Sequence, residues 1–444
     1  MQYVPESKEW VFGEYAVMNR GAGTTFSSLL RRMGHFDYLD VGGRSVSVAG
    51  VFALFLKEIL SSVKSINPKA EIVGIVASIP AYFTNDAREE FTRAFKSAGF
   101  EKELIALAPD RECVFAHHYR TPPKTSETAL LIDFGSRELR GGLYNISEAG
   151  ISCVSSLFDD EISTDALNAD VERLFESLVP DLTPNLREQL SAFTHQHKDL
   201  LFQKNIRQKP QKLYFNFMYP PVAHAISHEQ ASELVAPYAV RFEKFLRDVL
   251  EKNLLERTVS AESVTTVLCA GGGFDMLWAR DAVTAVFPTA KFHKNPKVIT
   301  AEGAALIAAR ELELAGAPPA RHIKIEDKHQ LTCDIGLSVG ETFLTLVPRN
   351  GFWWQNHAPK LVLVNSPVDG GFDLHVAEMS PSGESRAISS LRLDGLPVRP
   401  KGVTRLEVAS KFRSNSELEI KIADKGFGDL FPKVDYEREF FVRV

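Results

Sequence analysis

Residues 71–100 read EIVGIVASIPAYFTNDAREEFTRAFKSAGF and hold two hydrophobic periods in succession. Glu71 to Ile79 is apolar and rich in β-branched residues, which predicts a strand. Asn85 or Asp86 is placed to cap a helix in which Phe91, Ala94, Phe95 and Ala98 share one face, and Gly99 ends it. A strand delivered into an amphipathic helix is the unit of layered α/β folds, and it argues against an all-α or all-β chain.

Working outward, the same alternation continues to about residue 315. Residues 129–146, ALLIDFGSRELRGGLYNI, predict two strands joined by a polar turn. Residues 264–288, VTTVLCAGGGFDMLWARDAVTAVFP, predict a buried strand that enters three glycines, with a helix starting at about Phe274. The intervening 163–260 region is mostly helical in pattern, broken by a hairpin-like KPQKLYFNFMYPP at 209–221. After ELAGAPPARHIKIEDKHQ, residues 313–330, the texture changes. Short alternating segments (ETFLTLV, PKLVLV, FDLHVAEM, TRLEVASKF, SELEIKIAD) punctuated by Gly, Pro, Asn and Asp predict an antiparallel β-sandwich over 331–444. The expected domains are therefore 1–319 and 331–444.

With 444 residues, 44% hydrophobic and 24% charged, the chain has the composition of folded domains and not of a disordered segment. A formal charge of -6 gives no basic field for a polyanionic backbone, so nucleic acid is not an expected partner. No run reaches the ~18 apolar residues of a membrane span, and MQYVPESKEW does not read as a signal peptide. Cys113, Cys153, Cys269 and Cys333 lack metal-type spacing and read as buried thiols of a reducing cytoplasm. His195 and His197 sit two apart and face different sides of a helix, and the His224 and His228 pair has no evident third ligand.

Three of these stretches resemble the seventy-kilodalton heat-shock chaperones, the DnaK family. SIPAYFTNDAREEFTRAFKSAGF resembles that family's Val-Pro-Ala-Tyr-Phe segment. LCAGGGFDMLWARDAVTAVF followed by KNPKVITAEGAALIAA resembles its adenosine-binding segment, and LRLDGLPVRPKGVTRLEVASKFRSNSELEIKIADKGFG resembles the last strands of its peptide-binding domain. The resemblance implies an actin-like, two-lobed nucleotide-binding domain of hexokinase type followed by a β-sandwich. It implies ATP or ADP with Mg as cofactor, a bacterial-type cytoplasmic location, and an unfolded or extended peptide or a dedicated protein partner.

Carried over residue by residue, the resemblance implies a catalytic role for Asp133 and nucleotide contacts for Gly135, Lys198, Gly271, Gly272 and Gly273. The family's first phosphate loop finds no match, because the sequence begins about where that hairpin would already have ended; the expectation is either a fragment or a chain without half the phosphate clamp. In the second loop Ser136, Arg137 and Glu138 stand where glycines and a hydroxyl belong. Bulky side chains hold backbone away from phosphate, and a carboxylate repels it. Asp159 and Asp160 replace a Gly-Gly pair, Val17 a lysine, Pro109-Asp110 a Glu-Pro pair, and Asp275 a ring-stacking arginine. These exchanges imply a weak ATPase at most. Asp133 as a turn cap, the glycines as tight packing, and Arg137 and Arg140 as neutralisers of Asp159 and Asp160 are the purely structural readings of the same residues.

In the sandwich, Phe352, Trp353 and Trp354 are candidates to anchor an apolar peptide side chain beside a strand edge, with core packing as their structural reading. The polar IEDKHQL replaces the family's apolar interdomain linker, which weakens any expected ATP-driven coupling. With no helical lid after REFFVRV, bound peptide is expected to exchange quickly. Two functions follow as expectations: a DnaK-type chaperone-like protein, or a catalytically dead pseudo-ATPase scaffold for one dedicated partner. A sugar or acetate kinase on the same lobes gives the sandwich no role.

Overall fold

The computed structural model describes the chain except residues 19–22, 27, 70, 120–122, 124, 148–149, 180, 208, 252–258, 314–330, 332, 340–341, 350, 352–354, 366–370, 380–384 and 415–416. Two compact units divide it, one of residues 1–80 and 90–326 and the other of 81–89 and 327–444. Among the described residues no helix is long and apolar enough to cross a membrane.

The first unit is built on a five-stranded sheet in the order Gly150–Asp159, Leu139–Ser147, Glu127–Phe134, Thr266–Ala270, Lys291–Phe292. The first three strands form an antiparallel meander, and the last two join in parallel. The run ALLIDF is continuously apolar because Glu127–Phe134 is covered on both faces. Leu130, Ile132 and Phe134 enter one core with Phe242, Phe274 and Val283, while Ala129 and Leu131 enter another with Phe115, Tyr144 and Leu268. The adjacent strand Thr266–Ala270 is buried throughout.

The opening unit of the sequence forms a strand, a helix and a second strand. Ile75–Ile79 runs parallel to Leu104–Pro109, and the helix Asn85–Ala98 lies between them in the chain. The strand starts at Ile75, four residues later than its pattern predicts, because pairing begins where Leu104 supplies a partner. Thr84, and not Asn85 or Asp86, provides the capping oxygen, accepting from Ala87 N–H at 3.1 Å. Phe91, Ala94, Phe95 and Ala98 are all buried, and Gly99 ends the helix at φ +88°. The predicted hairpin pairs Gln211–Phe215 with Val222–Ile226.

In the second unit, two four-stranded antiparallel sheets share one core. One has the order Thr342–Val347, Asp334–Val339, Gly371–Met379, Ser385–Asp394, and the other Lys360–Val364, Thr404–Ser414, Glu417–Asp424, Glu437–Arg443. Leu337, Val376 and Leu391 of the first sheet meet Leu406, Ile420 and Val442 of the second in that core. Asp334–Val339 and Ser385–Asp394 carry little alternation of their own, and pairing on both sides of Gly371–Met379 and its neighbour draws them into the sheet. Arg399 and Asp424 are buried together, joined by two bonds of 2.6 and 2.7 Å. Phe352, Trp353 and Trp354 lie outside the described residues.

Candidate functional site

Where a parallel pair of strands ends, the chain must turn away, and in open α/β sheets the carboxyl ends of such strands are where ligands sit. Here Ala270 pairs with Asp133 at the last rung between Thr266–Ala270 and Glu127–Phe134, so the turns 135–138 and 271–273 leave from neighbouring ends. Gly271 has φ +90°, and a Cβ on it would lie 2.3 Å from Asp133 Oδ1 and 2.4 Å from the Phe134 carbonyl oxygen. Gly273 faces the Phe134 ring, 2.2 Å from where its Cβ would stand. Both positions exclude a side chain because the two turns pack directly on each other. Gly272 differs, since its nearest neighbour is the flexible stem of Lys297.

The helix after the glycines begins at Leu277, three residues later than the pattern predicts. Bonds from Phe274 N–H to Gly271 O and from Met276 N–H to Gly273 O, both 3.2 Å, wind 272–275 as a tighter 3₁₀ turn first.

The other turn is closed upon itself. Gly135 donates its N–H to Glu138 O at 3.0 Å, while Gly135 O and Ser136 O accept from Thr164 and Asp165 N–H at 3.2 and 2.9 Å. Those two N–H groups open the helix Thr164–Leu178, and Ser163 caps its Ala166 N–H at 3.1 Å. Donors that an anion would use at a glycine turn and a helix start are thus already occupied within the protein.

Asp133 lies at the foot of this arrangement, still touched by solvent but crowded by protein. Burial, then the neighbouring Asp110, push its carboxyl up to about 7, with Arg140 opposing and Glu138 adding to the rise. Asp110, first residue of the helix Asp110–His118, is raised as well, chiefly by burial, against Arg140 and Arg111. Arg140 pairs with Glu138, which also takes Arg31 at 3.0 Å. Three carboxyl groups and two guanidiniums therefore surround the strand end, and Asp133 can hold or release a proton near neutrality.

The remaining candidates are spread around this centre. Lys198 closes the helix Pro184–His197 and bonds Asn168 Oδ1. Asp275 pairs with Lys297 at 3.2 Å, so a cation that the sequence reading passed over stands beside Gly272. Arg137 reaches Asp165 at 3.2 Å, and Asp159 is held at 2.7 Å by Arg241, an arginine from the distant helix His228–Glu251. His197 stacks on Phe193 with ring centroids 3.9 Å apart and its Nδ1 meets Phe193 O at 2.9 Å, a packed position rather than a ligand's. A cavity lined by Leu201, Phe202, Ser232, Leu277 and Trp278 opens beside the turn that follows Lys198. Among the described residues the buried Trp278 indole Nε1 has no hydrogen-bond acceptor.

Comparison with known proteins places the chain among distant homologues of the DnaK-type chaperones. Two curated relatives are each similar over 80% of the chain. They are "Chaperone protein DnaK" of Prochlorococcus marinus (strain MIT 9515), 23% identical over 382 residues, and "Chaperone protein dnaK" of Cyanophora paradoxa, 24% identical over 371 residues. The aligned part is 56% and 57% of those proteins, so the chain spans about half the length of the curated relatives it matches. Residues 331–443 match a domain of unknown function (DUF8552), and residues 1–154 match the C-terminal part of a family of unknown function (DUF5716).

Proposed function

We propose that the protein is a DnaK-type chaperone-like molecule. An actin-like, two-lobed domain of residues 1–319 binds ATP or ADP with Mg weakly, and a β-sandwich of residues 331–444 takes an extended peptide or a protein partner. The carrying observation is the packing of the 271–273 glycine turn on the Asp133 carboxyl at the ends of two parallel strands. On this reading Gly272 and Lys297 would meet the nucleotide, Lys297 leaving its ion pair with Asp275, and Asp133 would face the Mg-bound water. As an enzyme it is at most a weak ATPase, because the 135–138 turn spends its donors internally. A cytoplasmic place of work goes with the chaperone reading; of the four cysteines expected to be buried, Cys113, Cys153 and Cys269 are, and Cys333 is half-buried.

Thermal unfolding with ATP and Mg tests this reading. The expected result is a saturable rise in melting temperature that Gly272→Leu abolishes while leaving the ligand-free melting temperature unchanged. The closed 135–138 turn favours one rival, a nucleotide-free scaffold for a dedicated partner. Absence of any shift at millimolar nucleotide decides for that rival. For the sandwich, replacement of Phe352, Trp353 and Trp354 by alanine is expected to weaken capture of an extended apolar peptide in a fluorescence anisotropy titration. Unchanged affinity removes those residues from the peptide role.

A further inference from the structure

Three side chains from separated segments converge elsewhere in the first unit. His117 lies in the last turn of Asp110–His118, His293 follows the strand Lys291–Phe292, and Glu302 lies in the first turn of the helix Ile299–Glu311. Gly303 makes the meeting possible. A Cβ on it would stand 1.8 Å from the Cys113 carbonyl oxygen, so the two helices touch backbone to backbone. One turn beyond Cys113, His117 Nε2 comes within 3.1 Å of Glu302 Oε2, and His293 Nε2 lies 3.4 Å from the same oxygen. The two imidazoles are nearly perpendicular, at 87°, and all three ligand atoms lie within 4.8 Å of one another.

The backbone of Asn295 faces the other nitrogen of His293. His293 Nδ1 is 2.7 Å from the Asn295 carbonyl oxygen, which can only accept, so the tautomer with the hydrogen on Nδ1 satisfies that oxygen. The Asn295 N–H donates to the same nitrogen at 3.1 Å in the opposite tautomer, so the backbone of Asn295 accommodates both. In the tautomer with the hydrogen on Nδ1, Nε2 turns a bare lone pair towards the Glu302 carboxylate, and a cation between them satisfies both. Neighbouring ligands of a tetrahedral ion with bonds of about 2.0–2.1 Å stand about 3.3 Å apart, which is the spacing of both His–Glu pairs. An Nδ1–H donated to a backbone carbonyl is also the usual outer support of a metal-bound histidine. Helix geometry adds to this, since His117 sits where carbonyl ends favour a cation and Glu302 where N–H groups favour a carboxylate. Lys291, two residues before His293, opposes the charge, but its side chain is exposed and free to turn away.

We propose that His117, His293 and Glu302 form a zinc site, with the fourth position open to water past Glu302, whose side chain is 47% exposed. The ion ties the helix that begins at Asp110 to Ile299–Glu311. It would thereby steady the carboxyl cluster at the strand ends without taking part in it. The spacing 117, 293, 302 matches no sequential zinc motif, and only the fold brings these residues together.

Equilibrium dialysis of the chelator-stripped, reduced full chain against zinc tests the proposal. The expected result is about one tightly held ion per chain, with affinity lowered about tenfold or more in Glu302→Gln and in His293→Ala but unchanged in His224→Ala. Zinc should also raise the melting temperature of the natural chain and not that of Glu302→Gln, a replacement that preserves size. If no stoichiometric zinc is bound, the His293–Glu302 contact is an ordinary hydrogen bond and the proposal fails. Equal affinity in all variants, as expected for zinc held by the thiols, also overturns it.

Discussion

Three adjacent glycines should respond to the same substitution in three different ways. Gly271→Ala forces φ +90° on a residue with a Cβ, at about 1–2 kcal/mol. That Cβ also meets Asp133 Oδ1 at 2.3 Å and the Phe134 carbonyl at 2.4 Å. Neither the strand end nor its backbone oxygen can retreat cheaply, which adds about 1–3 kcal/mol of overpacking. Gly273→Ala carries the overpacking alone, because its Cβ strikes the Phe134 ring at 2.2 Å. The ring has no room to swing, being wedged against Phe242, Phe274 and Trp278 at centroid distances of 5.6, 6.1 and 5.6 Å. Gly272→Ala meets Lys297 Cε at 2.9 Å, and that chain can move outward. The ion pair Lys297 makes with Asp275 is then weakened by about 0–1 kcal/mol, offset by a gain of about 0.4–1 kcal/mol from the less flexible unfolded chain. The predicted order of loss is Gly271→Ala, about 2–5 kcal/mol, then Gly273→Ala, then Gly272→Ala near zero. Midpoints of urea unfolding followed by near-ultraviolet dichroism measure it, provided the slope is unchanged between variants. If Gly272→Ala proved as costly as Gly271→Ala, or Gly271→Ala were harmless, the two turns would not be packed as described.

Two further outcomes concern charge. Asp133 has a folded-state pKa raised to about 7, above its unfolded value, so the native state binds the extra proton and this contribution is lost as pH rises through neutrality. Asp133→Asn should therefore be more stable than the natural chain at pH 8 by about 2 kcal/mol, allowing for the solvent that reaches the carboxyl, and the advantage should vanish near pH 4; equal pH slopes for both proteins would count against it. At Asp424 burial opposes the charge, but Arg399 and the N–H groups of Val434 and Gly426 outweigh it and hold the carboxyl below its usual value. Its stabilisation is present above the unfolded pKa and lost as pH falls through the lower folded one, and Asp424→Asn, which strands a buried Arg399, should cost about 3–5 kcal/mol in denaturant melts of the second unit. A loss under 1 kcal/mol would mean that Arg399 reaches water after all.

What could be read ahead of the structure was whatever local pattern controls. The run ALLIDF predicts a strand because burial on both faces leaves no position for a polar residue before Asp133. The face Phe91, Ala94, Phe95, Ala98 predicts a helix because all four positions are buried. Boundaries slip where a neighbour decides. Thr84 caps the first helix because its hydroxyl meets Ala87 N–H, and the helix after the glycines waits until Leu277 while the 3₁₀ turn unwinds the approach from Gly271. Charge pairing was the least legible. Asp159 takes Arg241 from a helix about eighty residues later, and Lys297 reaches Asp275 from across the next strand. No periodicity carries such pairings, since an exposed charged residue has the same local signature whatever partner it finds.

These long-range pairs also explain why a glycine-lined strand end need not be a strong phosphate grip. An incoming polyphosphate needs backbone donors and free cations. Gly135 N–H is given to Glu138 O, and the first N–H groups of Thr164–Leu178 are given to the Gly135 and Ser136 carbonyls. Arg140 is paired with Glu138, and Lys297 with Asp275. Each contact an anion makes must first break one of these, so the net gain per contact is a difference between two similar bonds, about 1 kcal/mol or less. Three carboxyl groups, Asp110, Asp133 and Glu138, stand against it as well. A divalent cation accompanying a bound nucleotide would change that balance: Asp110, Asp133 and Glu138 would then serve as ligands, and Asp133, whose carboxyl is raised to about 7, would give up its proton readily. If the proposed nucleotide binding occurs here, it should therefore depend on the accompanying metal more than on the turn that faces it.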